Sequence, residues 1–158
     1  VILDRDGVIN KKPSENDYVK SLGELELNLP LLEYLARLPT HFILACATNQ
    51  QGIEKGLVKL RVLNQIHARI KNQLRIYGGK EIFFFVCPHL SSRNCKCRKP
   101  EPGLLLEAMK RFNCTMINTI FVGDQDTDMI AARNANVAFI EYRTFEEFKA
   151  QFEMIAGM

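Results

Sequence analysis

Short apolar runs alternate with amphipathic segments along the whole chain. Five stretches are almost continuously apolar, which is typical of strands covered on both faces of a sheet: residues 1–3, 41–47, 82–86, 120–122 and 137–140. Elsewhere the apolar residues recur three to four positions apart, which predicts helices over residues 30–38, 57–76, 102–112 and 145–155, with a further helix beginning within residues 123–128. This alternation predicts an α/β fold with a doubly wound, mostly parallel sheet.

Polar side chains follow three of the predicted strands. Asp4 follows the first strand, Thr48 the second, and Asp124 comes just after the fourth. Since the carboxyl ends of parallel strands meet at one edge of a sheet, we expect the first strand to lie between the second and the fourth, so that these groups converge. Residues 49–99 are used by one helix, one strand and a cysteine-containing loop. We therefore expect no cap domain and an open site.

The first candidate for chemistry is the pair of carboxylates in Asp4-Arg5-Asp6-Gly7. A carboxylate can attack phosphorus when a cation reduces the repulsion between anions and a second group protonates the leaving oxygen. We expect Asp4 to be the nucleophile and Asp6 the acid. The alternative is that both are turn residues, because Asp and Gly are common in turns for local hydrogen-bonding reasons.

Two further segments offer groups that suit a phosphoryl oxygen. Thr48 and Asn49 can present a hydroxyl, an amide and backbone N–H donors, although a polar turn at a strand end is the simpler reading. Lys99 would neutralise the phosphoryl group and keep Asp4 ionised, unless it is an ordinary exposed lysine. Arg98 beside it suggests a second anion contact, such as another phosphate on the substrate.

Asp124 lies where a divalent cation could bind. One carboxylate oxygen from Asp124 and one from Asp4, the backbone carbonyl of Asp6 and several waters would form the octahedral oxygen shell that Mg²⁺ requires. Asp126 and Asp128 follow at the start of a predicted helix, where Asp is favoured as an N-terminal cap in any case.

A metal site of another kind is predicted between residues 87 and 97. Three thiols and one imidazole, from Cys87, His89, Cys95 and Cys97, match a closed Cys3His site for Zn²⁺, which leaves no position for water and is structural. A polar loop could not bury four such residues as ordinary core. We expect this zinc-stapled loop to hold the segment that presents Arg98 and Lys99.

The composition is that of one soluble domain spanning residues 1–158, with no apolar run long enough to cross a membrane. The net charge of +3 and the scattered basic residues argue against nucleic acid as a partner. Five cysteines favour thiols or metal over disulfides, hence a cytoplasmic protein, and we expect a monomer. The chain begins at Val1, so we expect a few residues to precede it, and no signal peptide is recognisable.

Three other features carry structural expectations. The polar loop of residues 11–21, which contains Pro13 and Asn16-Asp17, is expected to fold over the site. Cys46 and Cys114 are expected to be core thiols. His67 lies one position beyond the apolar stripe of its helix, which predicts a surface or boundary histidine rather than a ligand.

Four motifs in this order resemble the haloacid dehalogenase superfamily of magnesium-dependent phosphatases: Asp4-x-Asp6-Gly7, Thr48-Asn49-Gln50, Lys99-Pro100 and Gly123-Asp124-x-x-x-Asp128. The likeness spans nearly the whole chain and implies a Rossmann-like sheet. Within the superfamily, the segments at residues 4–10, 49–56 and 98–103 and the cysteine loop look like the D-glycero-D-manno-heptose 1,7-bisphosphate 7-phosphatases. The histidinol-phosphate phosphatase domain is the sister family and carries the same zinc loop.

The resemblance implies a role for each matching residue. Asp4 would form an aspartyl-phosphate, and Asp6 would protonate the leaving alcohol and later activate water. Magnesium would be held by Asp4, Asp6 and Asp124. Thr48 and Lys99 would cradle the phosphoryl group, and the remaining substrate contacts would come from Asn10, Asn49, Gln50 and Arg98.

The predicted substrate is a small sugar bisphosphate, and heptose 1,7-bisphosphate is the first choice. Histidinol phosphate is the alternative, favoured by the short gap between His89 and Cys95. A polynucleotide 3′-phosphatase shares the Thr-Asn-Gln and Gly-Ile motifs but does not fit the modest charge. A non-catalytic zinc-binding module would be expected to have lost the nucleophile, the acid or the lysine, and all three are present.

Overall fold

Five parallel strands form a single sheet in the computed structural model, which describes residues 1–14 and 17–158. In chain order the strands are β1 (Ile2–Leu3), β2 (Leu44–Asn49), β3 (Ile82–Cys87), β4 (Ile120–Gly123) and β5 (Ala138–Glu141). Their spatial order is β3-β2-β1-β4-β5, and each neighbouring pair is parallel. The first strand therefore lies between the second and the fourth, which confirms the prediction.

Helices cover both faces of the sheet, as in a doubly wound fold. In chain order they are α1 (Leu29–Ala36), α2 (Leu60–Tyr77), α3 (Gly103–Arg111), α4 (Asp126–Asn134) and α5 (Phe145–Ala156), with short 3₁₀ turns at Leu22–Glu24 and Ser91–Arg93. The apolar sides of α1, α2 and α5 pack on one face, and those of α3 and α4 on the other. The predicted α/β class is confirmed.

Side-chain alternation in β1 divides the core between these two faces. Leu3 belongs to the cluster with α1, α2 and α5, and Ile2 belongs to the cluster with α3 and α4. Both residues are buried, because successive side chains of a strand point to opposite faces of a sheet that is covered on each side.

Several element boundaries differ from the sequence prediction. Strand β2 begins at Leu44 rather than at residue 41, because residues 40–41 form a turn, and it continues through Thr48 and Asn49. Helix α2 begins at Leu60 rather than at residue 57, since the preceding residues form turns. The other strands and helices lie within one or two residues of their predicted ends.

His67 is a correction to the expected surface or boundary position. Its side chain is only 8% exposed, and its ring stacks on Phe84 of β3 with the ring centres 3.8 Å apart. Helical periodicity does not show which strand a helix covers, and it therefore does not predict that His67 packs against β3.

Residues 49–99, all of which the structure describes, contain α2, β3 and one 3₁₀ turn, so no cap domain lies between the two halves of the site. Among the described residues, none of the helices combines the length and the apolar character that crossing a membrane requires.

Candidate active site

The turn after β1 sets up the site. The backbone N–H of Asp4 donates to the carbonyl of Val122 over 2.8 Å, which continues the pairing with β4 beyond β1. Gly7 has φ of +99°, a conformation that favours glycine, and its N–H donates to the carbonyl of Asn10 over 2.7 Å. A Cβ atom on Gly7 would lie 2.4 Å from the carboxylate of Asp124. The absence of a side chain therefore lets the turn approach Asp124.

Lys99 lies between two buried carboxylates. Its Nζ is 2.6 Å from Oδ1 of Asp4 and 2.7 Å from Oδ1 of Asp128, and all three residues are buried. Burial alone would lower the pKa of Lys99, but the two carboxylates outweigh it and raise this pKa. Burial raises the pKa of Asp4 to about 7, against the effect of Lys99 and with a further increase from Asp128. Lys99 is therefore a permanent cation at this point.

Three carboxylates form a group that can hold a divalent cation. One oxygen each from Asp4, Asp124 and Asp128 lies within 4.8 Å of the others. Oδ1 of Asp124 is buried and has no hydrogen-bond partner among the described residues, which is the state expected of an atom whose partner is a metal ion. A set of oxygen ligands of this kind suits Mg²⁺. The residues present therefore fit the predicted magnesium site.

Asp128 caps its helix, as the sequence predicts, and also belongs to the carboxylate group. Its Oδ2 accepts a hydrogen bond from the backbone N–H of Gln125 over 3.2 Å, which caps the first turn of α4. Its other oxygen faces Lys99 and belongs to the carboxylate group. The cap fixes the rotamer of Asp128, so that the helix start also positions the group.

The carboxylate of Asp6 is surrounded by donors. Arg5 donates to it through Nε and Nη2 over 2.8 to 3.2 Å, and the side-chain amides of Asn10 and Gln50 each donate over 2.9 Å. Burial raises the pKa of Asp6, but Arg5 and the amide donors outweigh burial and hold this pKa below its usual value. The sequence predicts Asn10 and Gln50 as substrate contacts, whereas the structure places both amides, themselves buried, against Asp6.

The end of β2 is tied to the loop that carries Lys99. The side chain of Asn49 donates from Nδ2 to the carbonyl of Lys99 and accepts at Oδ1 from the N–H of Lys99, both over 3.0 Å. Thr48 is buried, and its hydroxyl oxygen accepts from the amide of Gln50 over 2.9 Å. The side chain of Asn49 thus holds the backbone of Lys99 in place. Hydrogen-bond donors for a phosphoryl group at this strand end would then be the backbone N–H groups.

The cysteine loop brings four potential ligands together. Cys87, His89, Cys95 and Cys97 place one ligand atom each within 4.8 Å of the others. The Sγ atom of Cys95 lies 3.5 Å from that of Cys87 and 3.4 Å from that of Cys97. Ligands of a tetrahedral zinc ion with Zn–S bonds of about 2.3 Å lie only slightly further apart, so the donor set fits Zn²⁺.

The three thiols of this group differ in protonation: burial raises the pKa of Cys87 and of Cys97, whereas Cys95 is shifted towards the thiolate. Burial raises the pKa of Cys95, but hydrogen bonds from Cys97, the backbone of Arg98 and Cys87 outweigh it and lower the pKa to about 6. The thiolate is the form that binds zinc. Arg98 follows the cluster directly, half-buried, with Nη1 3.5 Å from the carbonyl of His89.

The loop of residues 11–21 was expected to cover the site, and the part at Glu15 and Asn16 lies outside the described residues. On one side of this gap, Nζ of Lys12 lies 3.2 Å from Oδ2 of Asp124. On the other side, the ring of Tyr18 lies against Gly52, where a Cβ atom would be 3.0 Å from the ring. The flank before the gap therefore contacts the site, and the flank after it lies against the turn that follows β2.

Sequence reasoning missed two members of the site and weighed a third differently. Arg5 is the partner of Asp6 and is only 1% exposed, and its position between two aspartates at the end of an apolar strand was the available signal. Lys12 left no signal, because its contact with Asp124 joins segments far apart in the chain. The sequence predicts Asp128 only as a helix cap. It follows Asp124 by four residues, which is about one helical turn, and this spacing was the available signal.

Comparison with known proteins agrees with this geometry. The family model of haloacid dehalogenase-like hydrolases matches residues 48–142. A D-glycero-beta-D-manno-heptose-1,7-bisphosphate 7-phosphatase of Pseudomonas aeruginosa is 40% identical over 134 residues, which cover 84% of this chain and 74% of the relative. The histidine biosynthesis bifunctional protein HisB of Blochmanniella floridana is 32% identical, over 90% of this chain but 40% of that protein.

A solved structure extends the comparison to the whole fold. The D,D-heptose 1,7-bisphosphate phosphatase of B. bronchiseptica, crystallised with magnesium and phosphate, superposes with a TM-score of 0.84 at 34% identity, over 97% of this chain and 85% of that chain. The sheet order, the carboxylates around Lys99 and these matches lead to one conclusion. This chain belongs to the haloacid dehalogenase-like hydrolases.

Proposed function

We propose that this chain is a magnesium-dependent phosphatase that removes the 7-phosphate from D-glycero-D-manno-heptose 1,7-bisphosphate through an aspartyl-phosphate. The observation that carries the proposal is the position of Asp4. Its carboxylate lies at the end of the central strand, 2.6 Å from the buried ammonium of Lys99 and beside two further carboxylates. A buried nucleophile with a fixed cation and a metal-binding group is the arrangement that phosphoryl transfer requires.

In the first step an oxygen of Asp4 forms a bond to phosphorus as the bond from phosphorus to the sugar oxygen breaks. Lys99 and the backbone N–H groups near Thr48 would stabilise the charge on the phosphoryl oxygens. Asp6 supplies a proton to the leaving oxygen. Its resting pKa is low, and the negative charge of an arriving phosphoryl group raises it, because like charges disfavour ionisation.

In the second step a water molecule attacks phosphorus, the bond to Asp4 breaks and inorganic phosphate leaves. Asp6, ionised after the first step, accepts the proton of that water. Five hydrogen bonds from Arg5, Asn10 and Gln50 hold the carboxylate in place while it changes roles.

Magnesium would be held by the carboxylates of Asp4 and Asp124 and the backbone carbonyl of Asp6, with Asp128 beside them. When bound, the ion offsets the negative charge of nucleophile and phosphoryl group. Zinc would be held by the cysteine loop, where its effect is to fix the backbone that leads to Arg98 and Lys99.

The sugar bisphosphate is supported by the relatives and by Arg98. The P. aeruginosa relative and the B. bronchiseptica structure are both named as heptose bisphosphate phosphatases. Arg98 is half-buried one residue before Lys99, where a guanidinium could bind the second phosphate or the sugar hydroxyls. Histidinol phosphate is the second candidate, on the evidence of the likeness to HisB, which is lower in identity and covers less of that protein.

We infer in addition that residues 1–158 fold as one domain, and that the protein acts as a monomer in the cytoplasm. The candidate site is complete within one chain, so its chemistry does not require a second copy. Three of the five cysteines are grouped as potential zinc ligands, a use of cysteine that suits a reducing compartment.

The test is phosphate release with Mg²⁺ from heptose 1,7-bisphosphate in both anomers, fructose 1,6-bisphosphate, histidinol phosphate and a 3′-phosphorylated oligonucleotide. We expect a preference for the heptose of at least about tenfold in kcat/KM, or ~1.4 kcal/mol of transition-state binding. A preference for histidinol phosphate would overturn the sugar assignment.

The nucleophile is tested with Asp4→Asn. We expect kcat to fall by about a thousandfold or more, because the amide cannot form the bond to phosphorus. Asp126→Asn is the matched control, since Asp126 is exposed in the first turn of α4 and lies outside the carboxylate group. Substantial phosphate release by folded Asp4→Asn would remove Asp4 from its role.

A further inference from the structure

Lys12 lies at the rim of the candidate site and contacts one of its carboxylates. Its Nζ is 3.2 Å from Oδ2 of Asp124, and the lysine side chain is 45% exposed while that of Asp124 is 13% exposed. The same oxygen accepts a hydrogen bond from Nε2 of Gln125 over 2.7 Å. Asp124 is thus held on its outer side by two donors, of which only Lys12 is charged.

Lys12 changes the net charge of the carboxylate group to which Asp4, Asp124 and Asp128 belong. Among the described residues, Lys12 and Lys99 are the ammonium groups in contact with the carboxylates of Asp4, Asp124 and Asp128. When all three carboxylates are ionised, they and the two ammonium groups carry one net negative charge, and Asp6 adds none because its carboxylate is paired with Arg5. A divalent cation therefore leaves one net positive charge, and without Lys12 it would leave none.

We propose that Lys12 sets the balance between cation and anion binding at this site, acting through Asp124. Its positive charge opposes the entry of the divalent cation and, once that cation is bound, attracts the negatively charged phosphoryl group. The inference rests on the proposed phosphatase function for the identity of the anion. The part of the inference that concerns the divalent cation depends only on the carboxylates and the two lysines.

Because Gln125 also donates to Asp124, the electrostatic effect of Lys12 can be separated from an effect on the structure of the site. If Lys12 is replaced by an uncharged residue, Gln125 still donates to Oδ2 and to the backbone carbonyl of Asp124, so the carboxylate keeps its orientation. The substitution then removes a charge and little else. Loss of that charge favours the cation and disfavours the anion, whereas a disordered site would bind both more weakly.

The experiment is calorimetric titration of Lys12→Met, first with Mg²⁺ alone and then with inorganic phosphate at saturating Mg²⁺. We expect Mg²⁺ to bind about three- to tenfold more tightly than in the unaltered chain, and phosphate to bind more weakly by a similar factor. Both differences should shrink at high salt, because Lys12 is half exposed and its charge is screened.

Lys11→Met is the matched control, because the neighbouring Lys11 pairs with Glu26 on the surface, where both side chains are 71% exposed. It should leave both affinities unchanged, and Lys12→Arg should restore them. Parallel weakening of both ligands, a change in only one affinity, or no change in Lys12→Met overturns the inference. An unchanged Mg²⁺ affinity does so even if the chain hydrolyses the substrate panel, so failure here is distinct from failure of the proposed function.

Discussion

Gly7 is the residue at which backbone conformation and the metal-binding group meet. Replacement by Ala would force a side chain into a backbone with φ of +99° and would place Cβ 2.4 Å from the carboxylate of Asp124. We expect Gly7→Ala to lower the free energy of unfolding by about 1–3 kcal/mol and to weaken Mg²⁺ binding at least about tenfold. Urea denaturation and calorimetry measure the two effects.

The control separates backbone strain from displacement of Asp124. Gly79 also has a positive φ, of +81°, but an added Cβ there meets no atom within 4 Å. Gly79→Ala should share the loss of stability and keep the affinity for Mg²⁺. Equal Mg²⁺ affinities in the two variants would show that the close approach of Gly7 to Asp124 is unimportant.

For single residues, the sequence indicates which side chains could take part in the chemistry but not which contacts they make. Asp4, Lys99 and Asp124 could be named because each is a polar group at the end of an apolar run or in a stiff loop. The side chain of Asn49 was predicted to face the substrate, yet both of its polar atoms bond to the backbone of Lys99. An amide suits either use equally well, so its chemistry alone could not decide.

Helix α2 and strand β3 bury His67, and this gives the fold a dependence on pH. Burial lowers the pKa of His67 to about 3, with further lowering from Arg5 and Lys71. The unfolded chain takes up a proton below about pH 6.5, which the native chain does not, so stability falls as the pH decreases from about 6.5 towards 3. The contribution of His67 is fully present above that range.

We expect the free energy of unfolding to fall by about 2 kcal/mol between pH 7 and pH 5 on account of His67 alone. His67→Phe should remove that part of the decrease, because the ring can still stack on Phe84 and has no group to protonate. Urea denaturation at both pH values measures it. His41→Gln, at an exposed position, is the control and should retain the decrease, and identical pH dependence in His67→Phe and the unaltered chain would contradict the expectation.

The cysteine loop is the other element with a testable role. Cys95→Ser should lose zinc and lower the melting temperature, because a structural site contributes its binding energy to folding. Activity should fall with it, since Cys97 lies two residues before Lys99. Metal analysis per chain, a thermal scan and an assay test the three effects.

Cys114→Ser is the matched control, since this thiol lies outside the group of four and its hydrogen bond goes to the carbonyl of Phe112, at 3.7 Å. It should retain zinc and activity. An unchanged zinc content in Cys95→Ser would show that the loop is held in another way.

The elements themselves were largely predictable, because apolar runs and helical periodicity reflect burial directly. The type of every strand and helix and the central place of β1 follow from the pattern and from the polar residues at strand ends. The start of β2 could not be read in this way, since His41-Phe42-Ile43 is as compatible with a turn leading into a strand as with the strand itself. The burial of His67 depends on Phe84, a residue of another element.

For the molecule as a whole, the sheet order is what assembles the site. The strand ends of β1, β2 and β4 supply Asp4, Thr48 and Asp124, and the loop after β3 supplies Lys99. Convergence of these groups was predictable from parallel strands alone. The contact between Lys12 and Asp124 was not, because it depends on how a loop crosses the finished edge of the sheet.

The place of β1 also has a consequence for how the chain is made. Its two residues pair on one side with Ala45 and Cys46, and on the other with Phe121 and Val122, which leave the ribosome much later. Until then, a nascent chain that has formed β1, β2 and β3 presents an unpaired strand edge beside Asp4. Truncated products ending before β4 should accordingly be inactive and prone to associate, and the nucleophile becomes usable only after β4 has been synthesised.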